Sequence, residues 1–159
     1  MPILMKYQDI PGESKIKGYE KYIEVSSFDF GLGRRITAGT QSTREGGTVS
    51  LSEIVVKKQT DNTTVKFFME ACTGKMDKDV EIAFLRTGDK VNEYFLKFEL
   101  KATTVAGLSF KSAGGADARP GETIHLNFNK CIIHYNPIGD GLQGQPANTN
   151  WNIGKSQVE

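Results

Sequence analysis

Apolar and polar residues alternate with a period of two along most of the chain, the spacing of strands with one buried face. Ile3, Met5 and Tyr7 predict a short first strand, closed by a turn at 11–14. Residues 22–30 read as one longer strand, whose second half sets Phe28 and Phe30 against Ser27 and Asp29, one face apolar and the other wet. Over 31–47 the periodicity is lost. Glycines, threonines and Arg34, Arg35 and Arg44 predict a long loop there, of a length that in compact domains commonly carries function. Val49 and Leu51 open the next strand, which runs through Ile54, Val55 and Val56 to Lys58.

The period then changes. Val65, Phe68, Met69 and Cys72 fall at i, i+3, i+4 and i+7, with Asp61 or Asn62 placed to cap the start and Gly74 at the expected stop. This predicts one amphipathic helix of about three turns, with that apolar stripe on the core. Alternation then resumes. Val80, Ile82 and Phe84 precede a turn at 87–90; Tyr94, Leu96, Phe98 and Leu100 form the next face, and 105–111 a weaker strand. A loop at 114–121 leads to Ile124, Leu126 and Phe128. At Cys131, Ile132 and Ile133 the parity becomes ambiguous, which implies a bulge or a strand covered on both faces. From 137 onward a glycine-rich tail has only Trp151 and Ile153 as anchors. Seven or eight strands and one helix predict a mainly β single domain over 1–159, an antiparallel sandwich or small barrel flanked by the helix.

Composition narrows the function. Lys and Arg total 20 against 19 Asp and Glu in 159 residues, so neither nucleic acid nor an anionic membrane is expected to be held by bulk charge. Apolar runs such as Ile54-Val55-Val56 fall far short of the roughly 20 residues that cross a bilayer, and residues 1–9 carry no signal-peptide pattern. No nucleophile elbow, phosphate loop or zinc-protease motif is present: Thr73-Gly74-Lys75 has Met69 where the earlier glycine belongs, and Gly31-Leu32-Gly33 lacks the third glycine. His125, Cys131 and His134 are the residues of metal-ligating type that lie near one another. In a regular strand the first two share a face and His134 points away, so no metal or cofactor is expected. Glu20 and Glu24 read as a solvated strand edge. The loop arginines lack aromatic neighbours for stacking bases, and Glu45 offsets part of their charge. Cys72 and Cys131 read as two small hydrophobes, not a disulfide framework. No catalytic activity is expected.

Several segments together resemble a known family. They are Asp9-Ile10-Pro11-Gly12-Glu13-Ser14 followed by Tyr22-Ile23-Glu24-Val25, the helix with Phe67-Phe68-Met69-Glu70-Ala71-Cys72-Thr73-Gly74-Lys75, then Glu122-Thr123-Ile124-His125-Leu126-Asn127-Phe128 before Ile133-His134-Tyr135-Asn136-Pro137, and Trp151-Asn152-Ile153 in the tail. In collinear order over essentially the whole chain they resemble the haemolysin-coregulated protein (Hcp) family, the inner-tube subunits of bacterial type VI secretion. The resemblance implies a β-barrel of two sheets with a flanking helix, six copies closing into a ring, and rings stacking into a tube. It implies effector proteins in the lumen, a spike protein at the tip and a contractile sheath outside. It also implies assembly in the bacterial cytoplasm and export without a cleaved signal peptide. A phage tail-tube protein of the same fold is the alternative. On this reading Ser27 and Asp29 are candidate lumen residues, an outward solvent face being the other possibility. Arg34, Arg35 and Arg44 are candidates for contact with the next ring.

Overall fold

The computed structural model describes residues 1–38, 44–86, 93–115, 118–137, 147–153, 155, 157 and 158. Its elements run β1 (Ile3–Tyr7), β2 (Ile23–Val25), β3 (Ser27–Asp29), β4 (Leu32–Ala38), β5 (Arg44–Leu51), β6 (Ile54–Gln59), α1 (Thr64–Thr73), β7 (Lys78–Leu85), β8 (Tyr94–Lys111), β9 (Gly121–Asn127), β10 (Lys130–Tyr135), β11 (Ala147–Asn152) and β12 (Gln157–Val158). The larger sheet has the order β12-β11-β10-β8-β7-β1-β2, and a smaller one joins β3, β6, β9 and the second half of β8. All pairings are antiparallel. The two sheets enclose the core between them and do not close into a complete barrel. The predicted turn at 87–90 lies outside the described residues.

Two strands pass from one sheet to the other, and both do so by shifting side-chain parity. In the segment read as one strand over 22–30, Ile23 and Val25 are buried at odd positions and Phe28 and Phe30 pack on the core at even ones. The kink falls at Ser26, whose N–H donates to the carbonyl of Lys57, and the segment is therefore two strands: β2 pairs β1, and β3 pairs β6. The segments read as separate strands over 94–101 and 105–111 are instead one continuous strand of 18 residues. Its pairing with β7 shifts register opposite Lys78 and Val80, where Ala102 adopts a left-handed φ of 49°, and a second shift falls between Val105 and Gly107. Each extra residue flips the inward parity, from Leu100 to Thr103 and Val105, then to Leu108.

The core fills the space between the sheets. Met5, Ile82, Phe98 and Ile133 lie in one register row of the larger sheet, and Tyr7, Val80, Leu100 and Cys131 in the next. Phe28 of the smaller sheet meets Phe84 edge-on and also packs against Phe98, both with centroids 5.1 Å apart. β10 pairs regularly on both sides with Ile132 half-buried, so its ambiguous parity reflects cover on both faces and not a bulge. Ile153 packs on the core and Trp151 pairs Cys131, as the two anchors of the tail were expected to do, and the strand β11, which pairs β10 over six positions, was not expected; residues 138–146 lie outside the described ones.

At the end of β6 the inward alternation Ile54, Val56 delivers Lys58, a lysine only 2% exposed. Its Nζ lies 2.6 Å from Oε2 of Glu122, its buried cross-strand partner on β9, and donates to Oδ1 of Asp61 at 2.9 Å and the carbonyl of Gln59 at 3.1 Å. The ring of Phe67 covers the ammonium at 5.8 Å. Burial raises the Asp61 carboxyl, but hydrogen bonds from Thr63 and Lys58 outweigh it and hold its pKa below the usual carboxylate value. This contribution is therefore present above the unfolded value near 4 and is lost as pH falls through the depressed folded one.

Removing one partner leaves a buried charge uncompensated. Glu122→Leu alone is expected to destabilise the fold by about 3–5 kcal/mol in urea unfolding, and Lys58→Met with Glu122→Leu together to recover most of that loss. A double variant as unstable as the sum of the singles would contradict this account.

Candidate functional site

The smaller sheet turns one face to the core and the other to solvent. Its register aligns Asp29, Val55, His125 and Gly107 in one row and Ser27, Lys57, Thr123 and Ser109 in the next. Asp29 and Lys57 are exposed and Ser27 is half-buried, so the predicted alternation of Phe28 and Phe30 against Ser27 and Asp29 is realised. Glu53 stands just before β6, its Oε2 3.2 Å from Nδ1 of His125. The imidazole lies across Gly107, where an added Cβ would come within 3.2 Å of the ring. Sequence reasoning named Ser27 and Asp29 on this surface and missed Glu53, Lys57 and His125. The alternation of Glu53, Val55 and Lys57 against Ile54 and Val56 is the signal that places the first and last of these there.

Among the described residues this sheet has two open edges. β3 pairs only with β6, and residues 104–111 of β8 pair only with β9. Unpaired N–H and C=O groups along such edges are templates for another strand.

The segment predicted as a loop over 31–47 is instead a β-hairpin, because β4 and β5 carry forward the pairing of β3 with β6. The N–H of Ser52 donates to the carbonyl of Gly31 at 2.8 Å, and Leu32 pairs Leu51 beyond it. An arm of seven residues in β4 and eight in β5 extends about 23 Å. Absence of apolar periodicity misled the prediction: an arm that packs on no core needs no alternation, and Leu32 and Ile36 are 65% and 55% exposed. Arg34 is exposed on β4, Arg35 follows it, and Arg44 opens β5.

The helix sits where expected but is rotated. Val65, Phe68, Met69 and Cys72, the predicted core stripe, all face solvent. Thr63, Phe67 and Glu70 face inward instead, since the surface beneath is the Lys58 ammonium and the Tyr7 hydroxyl, which donates to Oε1 of Glu70 at 3.0 Å. Asp61 accepts from the N–H of Thr63, the residue before the first helical turn, so it does not cap α1 as predicted. Gly74 does end the helix, its N–H donating to the carbonyl of Glu70.

The residues of metal-ligating type are held apart. His125 on β9 pairs Glu53, His134 on β10 stands 3.4 Å from Glu99, and Cys131 is buried in the core. Glu20 and Glu24 are both exposed, on the loop before β2 and on β2 itself. The expectation of two buried thiols holds for Cys131 and fails for Cys72, which is exposed.

The profile described as "Type VI secretion system effector, Hcp" matches residues 4–135. The chain belongs to the Hcp family. Hcp chains are structural tube proteins of type VI secretion, not enzymes. Among solved structures, the fold is similar to that of a type six secretion system protein at 23% identity, covering 99% of both chains with a TM-score of 0.89. It is also similar to Hcp1 from Salmonella typhimurium, at 19% identity over 99% of this chain and 98% of that one, TM-score 0.79. A third similarity is to a chain of a PVC sheath–tube complex from an extracellular contractile injection system. It has 13% identity over 84% and 88% of the chains and a TM-score of 0.58. No curated protein sequence matches the chain.

Burial pushes the Cys131 thiol up to about 11, whereas Cys72 stands free on the helix of this Hcp chain. In the folded protein at pH 8, iodoacetamide is expected to modify Cys72 and to reach Cys131 only on unfolding. Equal labelling of both by mass spectrometry would contradict the packing of β10.

Proposed function

We propose that this Hcp chain is the repeating subunit of a type VI secretion tube, with six copies closing head-to-tail into a ring through the smaller sheet. The observation that carries the reading is that, among the described residues, this sheet has four antiparallel strands, an even number, with both edges open. Rotation about a ring axis keeps each strand's sense. The edge of β8 then meets the β3 edge of the next copy antiparallel, and one continuous sheet closes without an exposed edge. Six copies of four strands at about 4.8 Å spacing enclose a pore roughly 37 Å across between backbones, before strand tilt widens it.

In that ring the apolar face of the sheet remains on each subunit's own core, and the face bearing Ser27, Asp29, Glu53, Lys57 and His125 lines the lumen. Wet side chains suit a water-filled channel, and a ring of Asp29 carboxylates favours basic over acidic effector cargo. The arm of β4 and β5 runs on along the strands, so it leaves the ring face and reaches toward the next ring. A contractile sheath outside, a spike protein at the tip and export from the bacterial cytoplasm complete the reading. Similarity to a chain of a sheath–tube complex supports the sheath as a partner. The family match favours secretion over a phage tail.

Negative-stain microscopy with light-scattering mass tests this. Six-fold rings with an open centre are expected, and a monodisperse monomer would sink the reading. Replacing 35–46 by an Asn-Gly turn is expected to leave single rings intact and to abolish tubes. Tubes of normal length from that variant would remove the arm from ring stacking.

A further inference from the structure

Among the described residues, the wet face of the smaller sheet holds one histidine, His125, and imidazole is the side chain whose charge changes between pH 5 and 8. Its Nδ1 lies 3.2 Å from Oε2 of Glu53, and both side chains stay partly open to solvent. The charged groups around it come from each neighbouring strand. On β3 the same register row ends in the exposed Asp29, and on β6 Lys57 stands one row away. On β8, Gly107 and Ser109 bring no charge, and Lys111 lies two rows off. Thr123 and Asn127, its own neighbours along β9, are neutral. At the level of His125 the face therefore carries two carboxylates and no permanent cation.

We propose that His125 makes the charge of the lumen depend on pH, so that a basic segment of cargo is held near neutral pH and let go on acidification. The proposal rests on the ring reading above and adds regulation to it. In the closed ring the strand order is β3, β6, β9, β8 and then β3 of the next copy, which puts β9 midway between two strands that each carry an Asp29. Every imidazole thus stands in a belt of carboxylates, two strand spacings, about 10 Å, from the strand on either side. A neutral imidazole donating from Nδ1 leaves the charge of Glu53 in place; an imidazolium cancels it. Carboxylates and lysines keep their charge over this range, so Lys57 and Lys111 add only a fixed background. Each copy gives the belt two carboxylates and one imidazole, so full protonation halves its net negative charge. Single pairs this exposed are weak and salt-screened. A segment on the channel axis feels all six copies at once, and the low-dielectric wall focuses their field.

The test follows a rhodamine-labelled oligolysine peptide by fluorescence anisotropy at pH 7.5 and 5.5 and one low ionic strength, with light-scattering mass at both. Wild-type rings are expected to bind the peptide about tenfold or more tightly at the higher pH. His125→Gln is expected to remove that difference, and Asp29→Asn/Glu53→Gln to weaken binding at pH 7.5. Wild-type affinity that does not change with pH overturns the switch, as does a full pH response in His125→Gln. Equally tight binding by the carboxylate variant overturns the belt as the place where the peptide sits. Chains that are monomeric at both pH values would count instead against the ring reading, and the switch would fall with it.

Discussion

The ammonium of Lys58 is cut off from water at the seam where the smaller sheet meets the helix, and an ion in that position constrains everything around it. Glu122 must stand opposite it on β9, which fixes the register of two strands. Asp61 must reach it from the turn before α1, which fixes where the helix starts. Phe67 must cover it, which fixes how the helix is rotated and sends Val65, Phe68 and Met69 outward. An apolar pair of equal volume could fill the same space, but it would slide. The ion accepts one arrangement of partners, and the value of such a pair lies in that selectivity more than in net stability.

The period-two pattern marked most of the strands correctly, because burial on one face imposes it directly on the residues. It failed wherever a strand changes sheets. At Ser26 the alternation shifts by one place, marked in the residues only by the consecutive Ser26 and Ser27, which a reading of one continuous strand passes over. At Ala102 and just after Val105 two shifts in quick succession look like a gap. Both errors have one source: parity records which face is buried, not which sheet the strand is in. The arm and the tail were missed for a different reason. Strands that gain their order from backbone pairing and little from a core leave no hydrophobic period to read.

The candidate site was partly legible. Ser27 and Asp29 were found because small polar residues between phenylalanines can mean little else than a wet face. His125 was weighed as a metal ligand, and its place beside Glu53 and over Gly107 depends on long-range pairing that no local window contains. Conversely, the helix stripe was legible as a pattern and wrong as a burial assignment, since a polar floor inverts the usual rule.

β8 is a single backbone that lies in both sheets, flanked by β7 and β10 in its first half and by β9 in its second. In the ring proposed above, a push along the tube axis would load the wall along the strands. Force entering the smaller sheet passes into the larger one through covalent bonds, not across side-chain contacts that can slip. In the larger sheet the two antiparallel ladders on either side of β8 would then be pulled in shear, so that their hydrogen bonds share the load. In the proposed ring the strand would act as a tie-rod that keeps each subunit in one piece under axial load.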